Sequence, residues 1–175
     1  YEPMMAAFPG VQAVKKAWGG STSVILLEKR DELIQAAADV YVIAIGTNDV
    51  RYRDSRQCAM DAKAFVLNID ALRSAVAVKN RGTVFVFIAP WMSLDFDTVS
   101  KLKTGEKNDM LLQYTDALKK YCAGNGCLFV DPNPAIRQKL MREPYSDYLL
   151  DAIHPNAGVG IELYSSAVIG YQSSS

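Results

Sequence analysis

Two segments of this chain, residues 39–45 (Asp-Val-Tyr-Val-Ile-Ala-Ile) and 83–89 (Thr-Val-Phe-Val-Phe-Ile-Ala), are apolar at almost every position and no longer than a single strand. An alternating strand can leave one face in water. A run that is apolar on both sides is what a parallel strand needs when both faces of its sheet are covered. Between the two runs Met60, Phe65, Ile69, Leu72 and Val76 recur at near-helical spacing and define a long amphipathic helix. Strand, helix and strand in that order make a βαβ unit, and hence a parallel sheet with helices packed on it.

The alternation continues along the chain. Leu111, Tyr114, Leu118 and Tyr121 mark another helix, and residues 127–130 a short strand closed by Asp131-Pro132. Ile161, Tyr164, Val168 and Tyr171 mark a last helix after Pro155-Asn156. Upstream, residues 11–17 are read as a strand interrupted by Lys15 and Lys16 and running into Trp18-Gly19-Gly20. A helix carrying Leu26, Leu27, Leu33, Ile34 and Ala37 on one side follows, with Ser21 or Thr22 as its cap. The longest irregular stretch, residues 91–108, lies at a strand's C-terminal end, where a long loop is more often functional than idle. Its Leu94 and Phe96 are expected to set selectivity.

At 175 residues the chain is long enough for one well-buried domain and too short for two ordinary ones. Formal net charge is zero and no basic stripe is present, so binding to a nucleic-acid backbone is not expected. No apolar run is long enough to span a membrane. A single histidine leaves no His pair with metal-ligand spacing, and neither a metal nor another cofactor is expected. Cys122 and Cys127 flank the turn-forming Ala-Gly-Asn-Gly and are read as reduced thiols; Cys58 has no evident partner. Tyr1-Glu2-Pro3 carries no initiator Met, so residues upstream are expected and the compartment stays open.

In an open parallel sheet, ligands bind beyond the carboxyl ends of the strands. Gly19-Gly20-Ser21, Gly46-Thr47-Asn48-Asp49 and Trp91 fall there, each after a strand-like run. The one histidine sits in Asp151-Ala152-Ile153-His154-Pro155, a carboxylate three residues before an imidazole. Acyl transfer from a hydroxyl nucleophile needs a base of near-neutral pKa, an acid that fixes its tautomer, and donors for the oxyanion. His154, Asp151, Asn48 and the Gly20 N–H are candidates for those parts. Asp49 is read as orienting or capping at the substrate side, and Trp91 as pocket wall or core. Ser21 and Ser23 are weak substitutes for a nucleophile, Ser21 reading better as a helix cap. Arg51, Arg53 and Arg56 read as a solvated helix start.

The Gly-Thr-Asn-Asp block and the Asp-Ala-Ile-His-Pro block, in this order with Trp18-Gly19-Gly20-Ser21-Thr22 before them, resemble the SGNH (GDSL) hydrolase family. The resemblance implies a three-layer α/β/α, flavodoxin-like fold with about five parallel strands flanked by helices, occupying residues 1–175 as a single domain. It implies a serine ester hydrolase with His154 as base, Asp151 as its orienting acid, and Asn48 and Gly20 in the oxyanion hole. Gly20 suits that place better than Gly19. The family's Gly-Asp-Ser is not in the chain. The first strand and its Ser are therefore expected upstream of Tyr1, just before a helix that residues 1–8 would complete. Small-molecule or carbohydrate esters are the implied substrates. An O-acyltransferase using the same site, or a non-catalytic module binding carbohydrate or acyl ligands, are the alternatives. The residue that ends the missing strand separates enzyme from binder.

Overall fold

The computed structural model of the chain describes residues 6–52, 58, 59, 61–92, 94 and 104–171. In order, the elements are α1 (Ser23–Glu28), α2 (Arg30–Ala36), β1 (Val40–Ala44), α3 (Thr47–Arg51), α4 (Ala62–Lys79), β2 (Val84–Ile88), α5 (Thr104–Asn125), β3 (Leu128–Val130), α6 (Asn133–Leu140), a 3-10 turn (Tyr145–Asp147) and α7 (Val159–Ile169). The three strands are parallel, in the order β1-β2-β3. Val40 pairs with Val84 through to Ala44 with Ile88, and Val86 pairs with Leu128 through to Ile88 with Val130. Their carboxyl ends share one edge of the sheet, from which α3, the segment after Pro90 and α6 depart.

The buried side of the sheet is aromatic. Tyr41, Ile43, Phe85 and Phe87 pack under Leu26, Leu33, Phe65, Ile69, Leu72 and Val76, and under Leu111, Tyr114 and Leu118 of α5. Phe65 stacks on Tyr114 with ring centroids 4.6 Å apart. Each large side chain removed from water here stabilises the fold by about 1.5–3 kcal/mol. Placing α1, α2, α4 and α5 in one layer is what this stripe of aromatic residues requires.

The other side of the sheet differs from expectation. Val40, Val42, Val84 and Leu128 are 49, 52, 44 and 57% exposed. The apolar runs therefore alternate between buried and open rather than being covered on both faces. Among the described residues β1 pairs on one edge only, and the sheet has three strands, not five.

Residues 11–17 form no strand. Lys15 and Lys16 break the apolar alternation, and the segment is exposed throughout. The helix expected after residue 21 is two helices joined at Lys29. Its run from Glu28 to Glu32 has nothing apolar to bury, and each half instead anchors one leucine, Leu26 and Leu33. The cap is Thr22, whose hydroxyl accepts from the Ile25 N–H at 3.3 Å; Ser21 does not cap. The loop after β2 is shorter than residues 91–108, because α5 begins at Thr104. Phe96, Met60, Arg53 and Arg56 lie outside the described residues, as does the tail 172–175. Cys58, Cys122 and Cys127 are all free thiols.

Helix α6 has no counterpart in the sequence reading. Its first residue, Asn133, is buried and stitches two strand ends together. The Asn133 side-chain amide donates to Pro90 O (3.1 Å) and Asp131 Oδ1 (2.8 Å), and its oxygen accepts from the Met92 N–H (3.2 Å). Helix α7 is docked through Gly160, where a Cβ would lie 2.0 Å from the Tyr148 carbonyl oxygen. The Gly160 N–H is held by Asn156 Oδ1 at 2.8 Å, and the Asn156 N–H by Tyr148 O at 2.8 Å. Only glycine permits that approach, and it fixes α7 against the loop before it.

Candidate active site

The turn out of β1 is built on Gly46. Its φ of +118° is a conformation other residues rarely adopt, and a Cβ there would meet Pro90 Cγ at 2.7 Å and the Phe65 ring at 3.1 Å. This turn starts α3 and brings Asn48 and Asp49 to the carboxyl edge of the sheet. We expect Gly46→Ala to lower stability by about 2–3 kcal/mol, through strain and overpacking together. The measurement is the urea midpoint at unchanged m-value.

Asn48 and the Gly20 loop are joined directly. The Asn48 side-chain amide donates to the carbonyl of Ser21, the residue after Gly20, at 3.1 Å. Gly20 itself is exposed, in a turn closed by the Ser21 N–H on Trp18 O (3.3 Å). Beneath them Asp49 is fully buried. Its carboxylate accepts from the Ser23 N–H (2.8 Å), the Ser23 hydroxyl (2.6 Å) and the Ala59 N–H (3.0 Å). The Asn68 side-chain amide donates to the same Ser23 hydroxyl at 2.9 Å. Asp49, read from the sequence at the substrate side, thus faces the protein interior. Burial raises its carboxyl above the ordinary value, opposed by the hydrogen bonds from Ser23 and Ala59.

The serines close to this block are not presented as nucleophiles. Ser21 is buried, and Ser23 is committed to Asp49. Arg51 is buried as well, against the solvated helix start expected for it.

Thr47 links this block to the end of β2. Its hydroxyl accepts from the Trp91 N–H (2.7 Å) and donates to the Trp91 carbonyl (3.0 Å). The Trp91 ring, half-buried, lies against Tyr164 of α7 with centroids 3.4 Å apart. The loop with Asp151 and His154 is held to the same edge. The Leu94 N–H donates to Ala152 O at 2.9 Å, and the Leu150 N–H to His154 O at 2.8 Å. Leu149 also bridges Pro155. Gly20, Asn48, Trp91, Asp151 and His154 are in this way strung along one side of the sheet by consecutive contacts.

Asp151 and His154 form a pair. The His154 ring places Nδ1 2.7 Å from Asp151 Oδ2, while Asp151 Oδ1 accepts from the Ile153 and His154 N–H groups, each at 2.7 Å. Partial burial would push the Asp151 carboxyl up. The hydrogen bonds from His154 and Ile153 outweigh it and bring the value down to about 2. Asp151 is therefore ionised wherever an imidazole titrates, and it fixes the His154 tautomer with Nε2 directed away from it. The side chains stay open, 60% exposed for His154 and 54% for Asp151. Among the described residues no group of three His, Cys, Asp or Glu side chains converges on a metal-sized site.

A cleft of about 350 Å³ opens next to this loop, lined by Met92, Leu94, Ile136, Leu140, Tyr145 and Leu149 among others. Leu94 and Leu149 are the same residues that tether the His154 loop. Sequence reading placed Tyr164 only on a helical stripe and passed over Thr47, whose hydroxyl joins two blocks of the site. A small hydroxyl residue inside an otherwise recognisable turn was the available signal.

Residues 1–158 match the model of the GDSL-like lipase/acylhydrolase family. No curated protein matches the chain at significant similarity. Among solved structures, an α/β hydrolase from the Lake Arreo metagenome, LAE5, superposes with a TM-score of 0.75 at 20% identity, covering 97% of this chain and 77% of its own. A member of the lipolytic G-D-S-L family from Veillonella parvula gives 0.74 at 14% identity, covering 97% and 84%. The acetylxylan esterase Axe2 from Geobacillus stearothermophilus gives 0.71 at 19% identity, covering 98% and 78%. At such identities these likenesses speak for the fold.

Proposed function

Because the chain belongs to the GDSL-like lipase/acylhydrolase family, its chemistry is that of a carboxylic ester hydrolase, and we propose a serine acyl-enzyme mechanism with His154 as the base. The observation that carries this reading is the 2.7 Å contact from His154 Nδ1 to Asp151 Oδ2, on the same sheet edge as Asn48 and Gly20. A Ser attacks the ester carbonyl as His154 Nε2 takes its proton; the alcohol leaves and an acyl-enzyme remains. His154 then draws a proton from water, which attacks the acyl carbonyl and releases the acid. Asp151 orients the ring and offsets the imidazolium charge. The Asn48 amide and the Gly20 N–H stabilise the oxyanion.

The nucleophile in this proposal is a Ser upstream of Tyr1, at the end of a strand laid against the unpaired edge of β1. Such a strand would end beside the Gly46 turn, within the arc of Asn48 and His154. The substrate is a small-molecule or carbohydrate ester. The family points to lipid and other acyl esters, and Axe2 acts on acetylated xylan. The cleft between Leu94 and Leu149 suits the apolar part of such an ester.

Labelling of the full-length protein with a fluorophosphonate tests the proposal. The expected result is one labelled Ser upstream of Tyr1, with labelling abolished in His154→Ala. Label on Ser21 or Ser23, or none on the folded protein, would overturn it.

A further inference from the structure

Helix α5 ends in a turn that brings two cysteines together. The Cys127 N–H donates to the Cys122 carbonyl at 3.1 Å, and Gly126 just before Cys127 takes a φ of +65°. A bond from the sixth residue back to the first, with a left-handed glycine at the fifth, is the helix ending whose first and last side chains pack on each other. With standard bond lengths, the path from Cα to Cα across that hydrogen bond is about 7 Å when straight and shorter when bent. Disulfides join Cα atoms about 4.4–6.8 Å apart. Both side chains also turn to the same interior: Cys122 is 1% exposed within the core cluster, and Cys127 packs against that cluster. Cys127 Sγ makes only a weak contact where it is, 3.7 Å from Asn125 O. Cys58 is occupied elsewhere, its thiol donating to Tyr52 O at 2.7 Å.

We propose that Cys122 and Cys127 are a disulfide site, closing in the presence of a low-molecular-weight disulfide such as oxidised glutathione and stapling the end of α5 to the start of β3. Cys127 reacts first, because it is half-buried where Cys122 is enclosed. Burial pushes the Cys122 thiol up to about 12; it raises Cys127 too, but there the Arg73 guanidinium opposes it. The Cys127 thiolate attacks one glutathione sulfur and expels the other as a thiolate. Cys122 then gives up its proton, and its sulfur attacks Cys127 Sγ in the mixed disulfide and expels the second glutathione. One protein S–S bond forms and one glutathione S–S bond breaks. The pair loses two electrons and two protons, and oxidised glutathione becomes two thiols. The staple lies one strand away from Asn133, which ties the ends of β2 and β3 at the site edge. It stands apart from the ester chemistry, and its test does not read turnover.

Trypsin releases residues 121–137 as one peptide that holds Cys122 and Cys127 and no other cysteine. The folded full-length protein is equilibrated in glutathione buffers of graded poise, quenched with iodoacetamide and mapped by mass. The expected product is this peptide lighter by two hydrogens and unalkylated, restored by dithiothreitol, with Cys58 alkylated as in the reduced protein. In Cys122→Ala the reaction stops with glutathione held on Cys127. Because the fold already holds the turn closed, the bond should survive in buffers at least about tenfold more reducing for the native protein than for the protein in urea. Alkylation of both cysteines at every poise, Cys127 joined to a different peptide, or the same poise in native and urea-unfolded protein would overturn the proposal.

Discussion

His154→Ala in the full-length protein is expected to lose roughly four to six orders of magnitude in turnover of an activated ester while remaining folded. The loss is large because the residue would do two jobs, taking the proton from the nucleophile and later activating water, and residues 1–175 offer no second histidine to stand in. The fold should be indifferent. The side chain is 60% exposed, and its hydrogen bond is to a partner that is itself 54% exposed. The loop around it is held by main-chain bonds that the substitution leaves alone, Leu94 to Ala152 and Leu150 to His154. Steady-state assay with a chromogenic ester, beside a thermal melt, separates the two effects. Turnover within about tenfold of wild type would remove His154 from the mechanism.

Asp49→Ala should act on stability instead, at a cost of about 3–5 kcal/mol. Removing this carboxylate strands two buried main-chain N–H groups, those of Ser23 and Ala59, and takes away the acceptor of the Ser23 hydroxyl. Asn is no remedy, because one of its two ends is a donor and would face a donor. The pH dependence has a definite sign. Burial raises the Asp49 carboxyl in the folded protein, so its ionisation is harder there than in the unfolded chain. Stability from this group is therefore full below its unfolded pKa and declines as pH climbs through the folded value. Asp49→Ala should lack that decline. Urea unfolding of both proteins across acid to neutral pH measures the cost and the slope. A penalty below about 1 kcal/mol would mean that the buried network is dispensable.

How far the sequence carried depends on which physics acts locally. The runs around Val40–Ala44 and Val84–Ile88 announced themselves because a strand needs only its own apolar residues to be seen. Asp151 and His154 were visible for the same reason: three residues of separation bring a carboxylate to an imbalance-free contact with Nδ1, and they meet at 2.7 Å. What stayed hidden depends on distant partners. Whether Val40 and Val42 are buried is decided by what lies over the sheet, which no pattern within the strand records. Residues 11–17 have strand-like content but lie outside the three-stranded sheet. Asp49 looks like a site carboxylate until Ser23 and Ala59 close on it from two other segments. Arg51 is buried for a similar reason, by packing that a charge pattern does not encode.

The open flank of the sheet governs how residues 1–175 behave in a tube without the proposed upstream strand. Four large aliphatic side chains left exposed beside a strand edge that is unpaired among the described residues make an adhesive surface on the folded chain. Such a surface takes up hydrophobic dyes without any unfolding, so a high starting fluorescence in a dye-based melt is a property of the native state. Self-association should grow with protein concentration and with salting-out ions, which strengthen apolar burial. Melts followed by intrinsic fluorescence or circular dichroism at low concentration are the ones that report folding.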